Sequence, residues 1–142
     1  MCFGSPEYAL ECKLRDRILR APLGLKLSAE DLAHEDQALH FGLFTADDLI
    51  ACVVAIALDS STTKLRQMAV APEYQGQGCG RALLKQVEAI LRQQGVRLVT
   101  LHARKTATAF YEKLGYQVEG SEFIEVTLPH YRMRKELETL SR

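Results

Sequence analysis

The sequence lacks three features: an excess of charge, a long apolar run and a paired-cysteine motif. Its 142 residues contain 18 Lys and Arg against 18 Asp and Glu, so the formal net charge at neutral pH is zero. General nucleic-acid-binding proteins are normally basic, and this balance argues against nucleic acid as the main partner. The longest apolar stretch, Leu49 to Leu58, is much shorter than the roughly 20 residues that cross a bilayer. We therefore expect no membrane span.

The cysteines and the N-terminal residues bear on compartment and metal binding. No two cysteines form a C-x-x-C pair, which weakens a zinc site or a redox motif and predicts reduced thiols without a metal. The first residues have neither the basic nor the apolar stretch of a secretory signal. We therefore expect a cytoplasmic protein with free thiols at Cys2, Cys12, Cys52 and Cys79.

Hydrophobic periodicity predicts one domain, residues 1–142, in which strands and helices alternate. Helices are predicted at Glu7–Arg20, Arg81–Gln94 and Thr106–Leu114, with Ser28 as the cap of a further short segment. A first strand at Met1–Ser5 would be short and weak. The order indicates an α/β (α+β) fold, a mixed sheet with helices on its faces. The main strands are predicted at Leu39–Phe44, Leu49–Leu58, Lys64–Val70, Val96–Ala103, Tyr116–Val126 and His130–Leu137.

A glycine-rich turn, Gln75–Arg81, joins a strand to the most amphipathic of these helices. Glycines at 76, 78 and 80 allow the backbone to curl so that several N–H groups point into one concavity. The positive end of the helix dipole adds to this, so the turn suits a pyrophosphate. It lacks the Lys-Ser/Thr pair of a P-loop, and its glycine spacing differs from the dinucleotide fingerprint.

With its flanks, this turn resembles the acetyl-CoA motif of GCN5-related N-acetyltransferases (GNAT). The family pattern (Arg/Gln)-x-x-Gly-x-(Gly/Ala) is matched by Gln75, Gly78 and Gly80. A second block, Ala107–Tyr116, is similar to the late helix of that family. The segments Leu14–Arg20 and Pro129–Met133 are similar to a bacterial subgroup with poorly defined substrates.

The resemblance implies a centrally splayed mixed sheet of about six to seven strands, with acetyl-CoA as co-substrate. It implies direct attack of an amine on the thioester, with Tyr111 as general acid to the departing CoA thiolate. Backbone groups near Met68 and Val70 would contact pantetheine, and a backbone N–H near Met68 would polarise the thioester carbonyl. The full set of residues that it assigns to the cofactor is Met68, Ala69, Val70, Gln75, Gly76, Gln77, Gly78, Cys79, Gly80, Arg81, Arg104, Ala107 and Phe110.

The general base is not fixed by the resemblance, because Lys64 stands roughly where some members carry a catalytic Glu. Arg104 likewise stands where many members carry an Asn that contacts the cofactor; with Lys105 it would reach a CoA phosphate or remain solvated. A chain of water molecules without a dedicated base is a further alternative. The candidate bases are His40, His102, Glu125 and His130, with His102 and His130 taken forward as catalytic.

The acceptor expected from the resemblance is the primary amine of a small molecule or a peptide. Acidic residues between Ser28 and Asp48, Glu35 and Asp36 among them, would attract a cationic amine, and the basic segment Gln75–Lys105 would attract the phosphates of CoA. The family admits a homodimer, although no interface is marked in the sequence. The alternative function is a non-catalytic acyl-CoA-binding module of the same fold.

Overall fold

The computed structural model describes residues 4–28, 31–33, 35–46 and 48–138. None of the helices in these ranges is long and apolar enough to span a bilayer. The α-helices are α1 (Pro6–Arg15), α2 (Cys79–Gln93) and α3 (Thr108–Lys113). The strands are β1 (Leu39–Thr45), β2 (Asp48–Ala57), β3 (Thr62–Val70), β4 (Leu98–Arg104), β5 (Gln117–Glu125) and β6 (Leu128–Glu136).

The strands form one six-stranded mixed sheet in the order β1-β2-β3-β4-β6-β5. β1 and β2 are antiparallel, and β3 and β4 are parallel over the pairs from Thr62–Leu98 to Leu65–Leu101. β6 pairs antiparallel with both β4 and β5. The expected mixed sheet with helices is confirmed, with six strands in the described part of the chain. The weak first strand expected at Met1–Ser5 falls largely outside that part.

The chain divides into two compact units. The first contains the chain up to Ile56 together with Arg66–Glu88, and the second contains Ala57–Leu65 together with the chain from Ala89 onward. In the first unit a core cluster forms from the buried residues Leu14, Cys52, Ala69 and Ala71. In the second unit the apolar core includes Val99, Leu101, Ala103, Tyr116 and Met133.

The N-terminal helical segment differs from the expected single helix. Ser5 caps α1 by accepting a hydrogen bond from the N–H of Tyr8 at 3.2 Å. α1 ends at Arg15, and a π-helical turn, Asp16–Arg20, follows directly. Because π-helical bonds join residues five apart, this turn brings Arg15 and Arg20 to one face of the segment. Both are buried, at 0% and 6% exposure.

Two local expectations need correction. The helical period places Ile90 on the apolar face of α2 with Leu83, Leu84, Val87 and Leu91, but Ile90 is 37% exposed and only the other four are buried. Ser28 forms the expected cap, since its hydroxyl accepts a hydrogen bond from the N–H of Asp31 at 3.2 Å. The described residues that follow form a turn and a short 3₁₀ helix, Glu35–Gln37, instead of an α-helix.

Candidate active site

The glycine turn of the first unit is exposed and left-handed. Gly76 has a φ of 77° and Gly78 a φ of 83°, values that side-chain-bearing residues rarely adopt. A Cβ added at either position would meet no atom within 4 Å, so the glycines are required for conformation and the space above them is open. α2 begins at Cys79, and the first N–H groups of a helix have no acceptor inside it. The turn therefore fits an anionic group such as a pyrophosphate.

The two glutamine side chains of the turn bind backbone carbonyls of residues that precede it in the chain. Gln75 donates from Nε2 to the carbonyl oxygen of Val70 at 2.9 Å, and Gln77 donates to the carbonyl of Glu73 at 2.9 Å. These bonds hold the turn against the end of β3. The amides of Gln75 and Gln77 therefore maintain the shape of the turn.

In the second unit, β4, β5 and β6 bring together two of the expected catalytic residues. His102 and Arg104 lie on the face of β4 opposite the buried Leu101 and Ala103. The register pairs His130 of β6 with Arg104 on one side. On the other side His130 pairs with Phe123 of β5.

Glu125 lies between the two histidines. His102 Nδ1 is 2.9 Å from Glu125 Oε1, and His130 Nε2 is 3.8 Å from Glu125 Oε2. The ring of Phe123 meets the His102 ring edge-on at 5.0 Å and stacks on the His130 ring at 6.0 Å. Phe123 was not identified from the sequence as part of this group, and only the strand register reveals it.

The hydrogen bonds fix which ring nitrogens carry protons. A carboxylate only accepts, so His102 Nδ1 donates to Glu125 and the lone pair of the neutral ring is on Nε2. His130 Nδ1 donates to the carbonyl of Leu128 at 2.9 Å, which directs its Nε2 toward Glu125. The side chain of His102 is 28% exposed and that of His130 6% exposed. His102 is therefore the member that offers an accessible basic nitrogen.

Tyr111 lies on α3 among aromatic rings. Its ring meets those of Phe110 and Tyr116 edge-on at 5.1 and 5.8 Å. Burial raises the pKa of the Tyr111 phenol to about 12, so the hydroxyl stays protonated at neutral pH. This is the protonation state that a proton donor requires.

His40 does not serve as a base. It is 3% exposed, and its Nδ1 lies 2.9 Å from Glu11 Oε2 while its Nε2 lies 2.8 Å from the carbonyl oxygen of Glu35. Both partners accept, so both ring nitrogens carry protons. Burial alone would lower the pKa of His40, but the bonds to Glu11 and to the Glu35 carbonyl raise it above its ordinary value.

One expectation about charged residues also changes. Glu35 is 1% exposed and binds Arg15 and Tyr8, so its charge is neutralised inside the protein and is not available to attract an amine. Asp36 is exposed. Lys105 forms an exposed ion pair with Glu122 at 3.0 Å.

Comparison with known proteins identifies the family. A family model described as a GNAT acetyltransferase domain matches residues 25–137. The uncharacterized N-acetyltransferase YitI of Bacillus subtilis is 30% identical over 117 residues, which cover 78% of each chain. The chain spans about half the length of two other Bacillus subtilis relatives, which are 36% and 35% identical over the matched part. The protein belongs to the GNAT acetyltransferase family.

Solved structures show the same fold. A Lactobacillus plantarum protein classed among the N-acetyltransferases is 26% identical and superposes with a TM-score of 0.84, over 94% of each chain. A GNAT acetyltransferase from Elizabethkingia anophelis, solved with acetyl-CoA bound, is 20% identical with a TM-score of 0.73, over 96% of this chain and 95% of that one.

Proposed function

We propose that this protein transfers an acetyl group from acetyl-CoA to a primary amine by direct attack, without an acyl-enzyme. The observation that carries the proposal is the exposed, left-handed turn at Gly76 and Gly78 before α2, in a chain of the GNAT acetyltransferase family. Acetyl-CoA supplies the activated acyl group, a thioester that an amine can attack.

The first unit contributes the groups that bind the cofactor. N–H groups from Gly76 to Arg81 hold the pyrophosphate, since the turn is open and the helix dipole is positive there. Backbone groups of Met68–Val70 bind the pantetheine arm, as a strand binds an extended partner. The family resemblance also assigns Arg104, Ala107 and Phe110 to the cofactor.

The second unit contributes the groups that move protons. An amine is protonated at neutral pH and attacks only after losing a proton, which His102 Nε2 accepts directly or through one water molecule. Glu125 orients the ring and stabilises the imidazolium that forms, and His130 Nε2 faces the same carboxylate at 3.8 Å. Tyr111 gives its proton to the CoA sulfur as the C–S bond breaks and the N–C bond forms, and the second proton of the attacking nitrogen returns to the Tyr111 phenolate through solvent. The products are an acetamide and the CoA thiol.

The acceptor is the primary amine of a small molecule or a peptide. The rival function is a non-catalytic acyl-CoA-binding module. The His102–Glu125 pair favours the enzyme, because a binding module has no use for an oriented base.

Two measurements test the proposal. Thermal unfolding with acetyl-CoA, CoA or NAD identifies the cofactor class, because a ligand that binds only the folded state raises the melting temperature. Release of the CoA thiol, followed across a panel of amino sugars, polyamines, amino acids and peptides, identifies the acceptor. We expect stabilisation by acetyl-CoA and CoA and thiol release with one class of amine. Stabilisation without thiol release from any amine would leave the binding module, and stabilisation by NAD alone would overturn both.

A further inference from the structure

Gln67 adopts a backbone conformation that is unusual for its residue type. It lies inside β3, yet its φ is 52°, in the left-handed region. Residues other than glycine pay roughly 1–2 kcal/mol to adopt this conformation, so surrounding contacts must hold it. It also interrupts the burial alternation of the strand, since Leu65 and Ala69 are buried whereas Gln67 is half-buried.

The contact that holds Gln67 comes from Arg15, the last residue of α1. Arg15 Nε donates to Gln67 Oε1 at 2.7 Å, and the amide of Gln67 donates to the carbonyl oxygen of Asp31 at 3.4 Å. The acceptor and one donor of the Gln67 side chain are thus both engaged. The side chain cannot turn without breaking a bond to a fully buried guanidinium.

Arg15 is itself fixed by a buried charge cluster, Glu11, Arg15, Glu35 and His40. Its Nη1 donates to Glu11 Oε2 at 3.0 Å and to Glu35 Oε1 at 2.9 Å, and its Nη2 donates to Glu35 Oε2. His40 donates to Glu11, and Tyr8 donates to Glu35 at 2.7 Å. Two carboxylates face a guanidinium and an imidazolium, so the charges cancel inside the cluster.

The cluster is not explained as a metal site or by stability alone. Ligand atoms of Glu11, Glu35 and His40 lie within 4.8 Å of one another, but the Arg15 guanidinium already donates to both carboxylates. Buried ion clusters are commonly no more stabilising than apolar residues of the same volume. The cluster does supply orientation, because every arm of Arg15 has a fixed partner.

We infer that Arg15 is a positioning residue: it holds Gln67 left-handed and thereby sets the direction of the backbone that follows, Met68–Val70. The inference rests on the proposed function, in which that backbone receives the pantetheine arm and the thioester. The inference gives α1 a role in acetyl transfer through Arg15, which acts without contacting acetyl-CoA or the amine.

Arg15→Lys tests the inference, because lysine retains the charge and loses the Nε–H that binds Gln67. Displacement of reacting groups by about 1 Å reduces turnover by up to a hundredfold, so we expect kcat to fall by roughly tenfold to a hundredfold. The KM for acetyl-CoA should rise by a smaller factor than kcat falls, because the glycine turn that binds the pyrophosphate is intact. Arg134→Lys is the control: it makes the same substitution at an arginine of β6 whose partners, Glu119 and Glu136, have no part in the proposed site. It should leave kcat nearly unchanged.

Gln67→Gly provides the second arm, since glycine adopts a positive φ without a side-chain contact. If Arg15 acts through Gln67, Arg15→Lys should cost much less in the Gln67→Gly background than in the parent protein. Equal losses in the two backgrounds would overturn the inference. If Arg15→Lys does not fold, Gln67→Met and Gln67→Gly are compared directly, since both lose the bond to Arg15 and only glycine adopts the positive φ without it. We expect kcat to fall in Gln67→Met and to be largely retained in Gln67→Gly, and equal losses would overturn the inference.

Amide NMR separates this inference from the proposed function. Arg15→Lys should shift the Gln67 and Met68 amide resonances whether or not an acceptor amine has been found. Unchanged resonances would reject the positioning role. Shifted resonances in a protein that transfers acetyl to no amine would reject the proposed function and retain the structural role of Arg15.

Discussion

His102 donates a hydrogen bond from Nδ1 to Glu125 Oε1 over 2.9 Å, so the basic nitrogen of its neutral ring is Nε2. We expect His102→Gln to reduce kcat by roughly a hundredfold or more, the usual contribution of a general base. Glu125→Gln should cost less, since the amide can still accept the bond but carries no charge. Steady-state rates of thiol release measure both effects.

The pH profile adds a readout that a structural role would not produce. A general base works only when deprotonated, so the pH dependence of the rate should differ between the parent protein and His102→Gln. Glu122→Gln is the control, because Glu122 is an exposed carboxylate on β5, the strand of Glu125, and pairs with Lys105. Full turnover in His102→Gln with an unchanged profile would favour a water chain as the route for the proton.

Tyr111→Phe should lower kcat and leave the KM for acetyl-CoA nearly unchanged, because the hydroxyl acts on the leaving thiolate. Burial raises the pKa of Tyr111 to about 12, so no titration of this phenol should appear in rates measured below about pH 10. Tyr116→Phe removes a hydroxyl from the adjacent ring and serves as the control. Unaltered turnover in Tyr111→Phe would remove the assigned acid.

Gly78→Ala and Gly95→Ala form a matched pair at the two ends of α2. Both glycines are left-handed, with φ of 83° and 87°, and a Cβ at either would meet nothing within 4 Å. Each substitution should therefore cost about 1 kcal/mol of folding free energy. Only Gly78→Ala should weaken binding of acetyl-CoA in calorimetry. Equal affinities in the two variants would contradict the assignment of the turn to the pyrophosphate.

The buried charge cluster predicts how stability depends on pH. Bonds to Glu11 and the Glu35 carbonyl raise the pKa of His40 above 6.5 against the effect of burial. The stability from His40 is therefore complete below about pH 6.5 and is lost as pH rises through the folded pKa. Bonds from Arg15 and Tyr8 lower the pKa of Glu35 below 4.5 against burial, so its contribution is lost as pH falls through the folded pKa.

Urea denaturation across this pH range should therefore show the free energy of unfolding highest between about pH 4.5 and 6.5. His40→Gln should reduce the decline above pH 6.5 and retain the decline in acid. If His40→Gln leaves the decline above pH 6.5 unchanged, the decline belongs to another group.

The turn between β5 and β6 is strained. Val126 and Thr127 have φ of 49° and 64°, as in a type I′ turn, although both are β-branched. Replacing the pair by Asn-Gly should raise the free energy of unfolding by about 1 kcal/mol or more. Thermal unfolding measures the change, and a lower melting temperature would show that contacts of the two side chains outweigh the strain.

The same turn adjoins Glu125 and the Leu128 carbonyl that binds His130. The sequence does not predict this turn, because Val and Thr favour strands. The positive φ values are imposed by the hairpin register, in which Glu125 lies opposite Leu128. The local preference of these residues for a strand therefore conflicts with the turn that strand pairing requires. The conflict occurs next to Glu125, which orients the proposed base His102.

The sequence by itself determined the features that depend on neighbouring residues. The glycine turn and the amphipathic α2 are readable because left-handed glycines and a 3.6-residue period act locally. The family followed from the same segment, and the positions of the strands along the chain followed from periodicity. The exposure of Ile90 and the π-helical turn after Arg15 did not, because packing against distant elements decides them.

Only the tertiary structure decided which polar residues meet. His102 and Glu125 are 23 positions apart and belong to strands separated in the sheet by β6, and Arg15 and Gln67 are 52 positions apart. Their hydrogen bonds depend on strand register and on the face that a helix turns inward, which no local pattern encodes. The same placement removed His40 from the candidate bases and Glu35 from the exposed acidic segment. In the sequence, His40 is one of several candidate bases and Glu35 one of several acidic residues, and only the fold gives them buried partners.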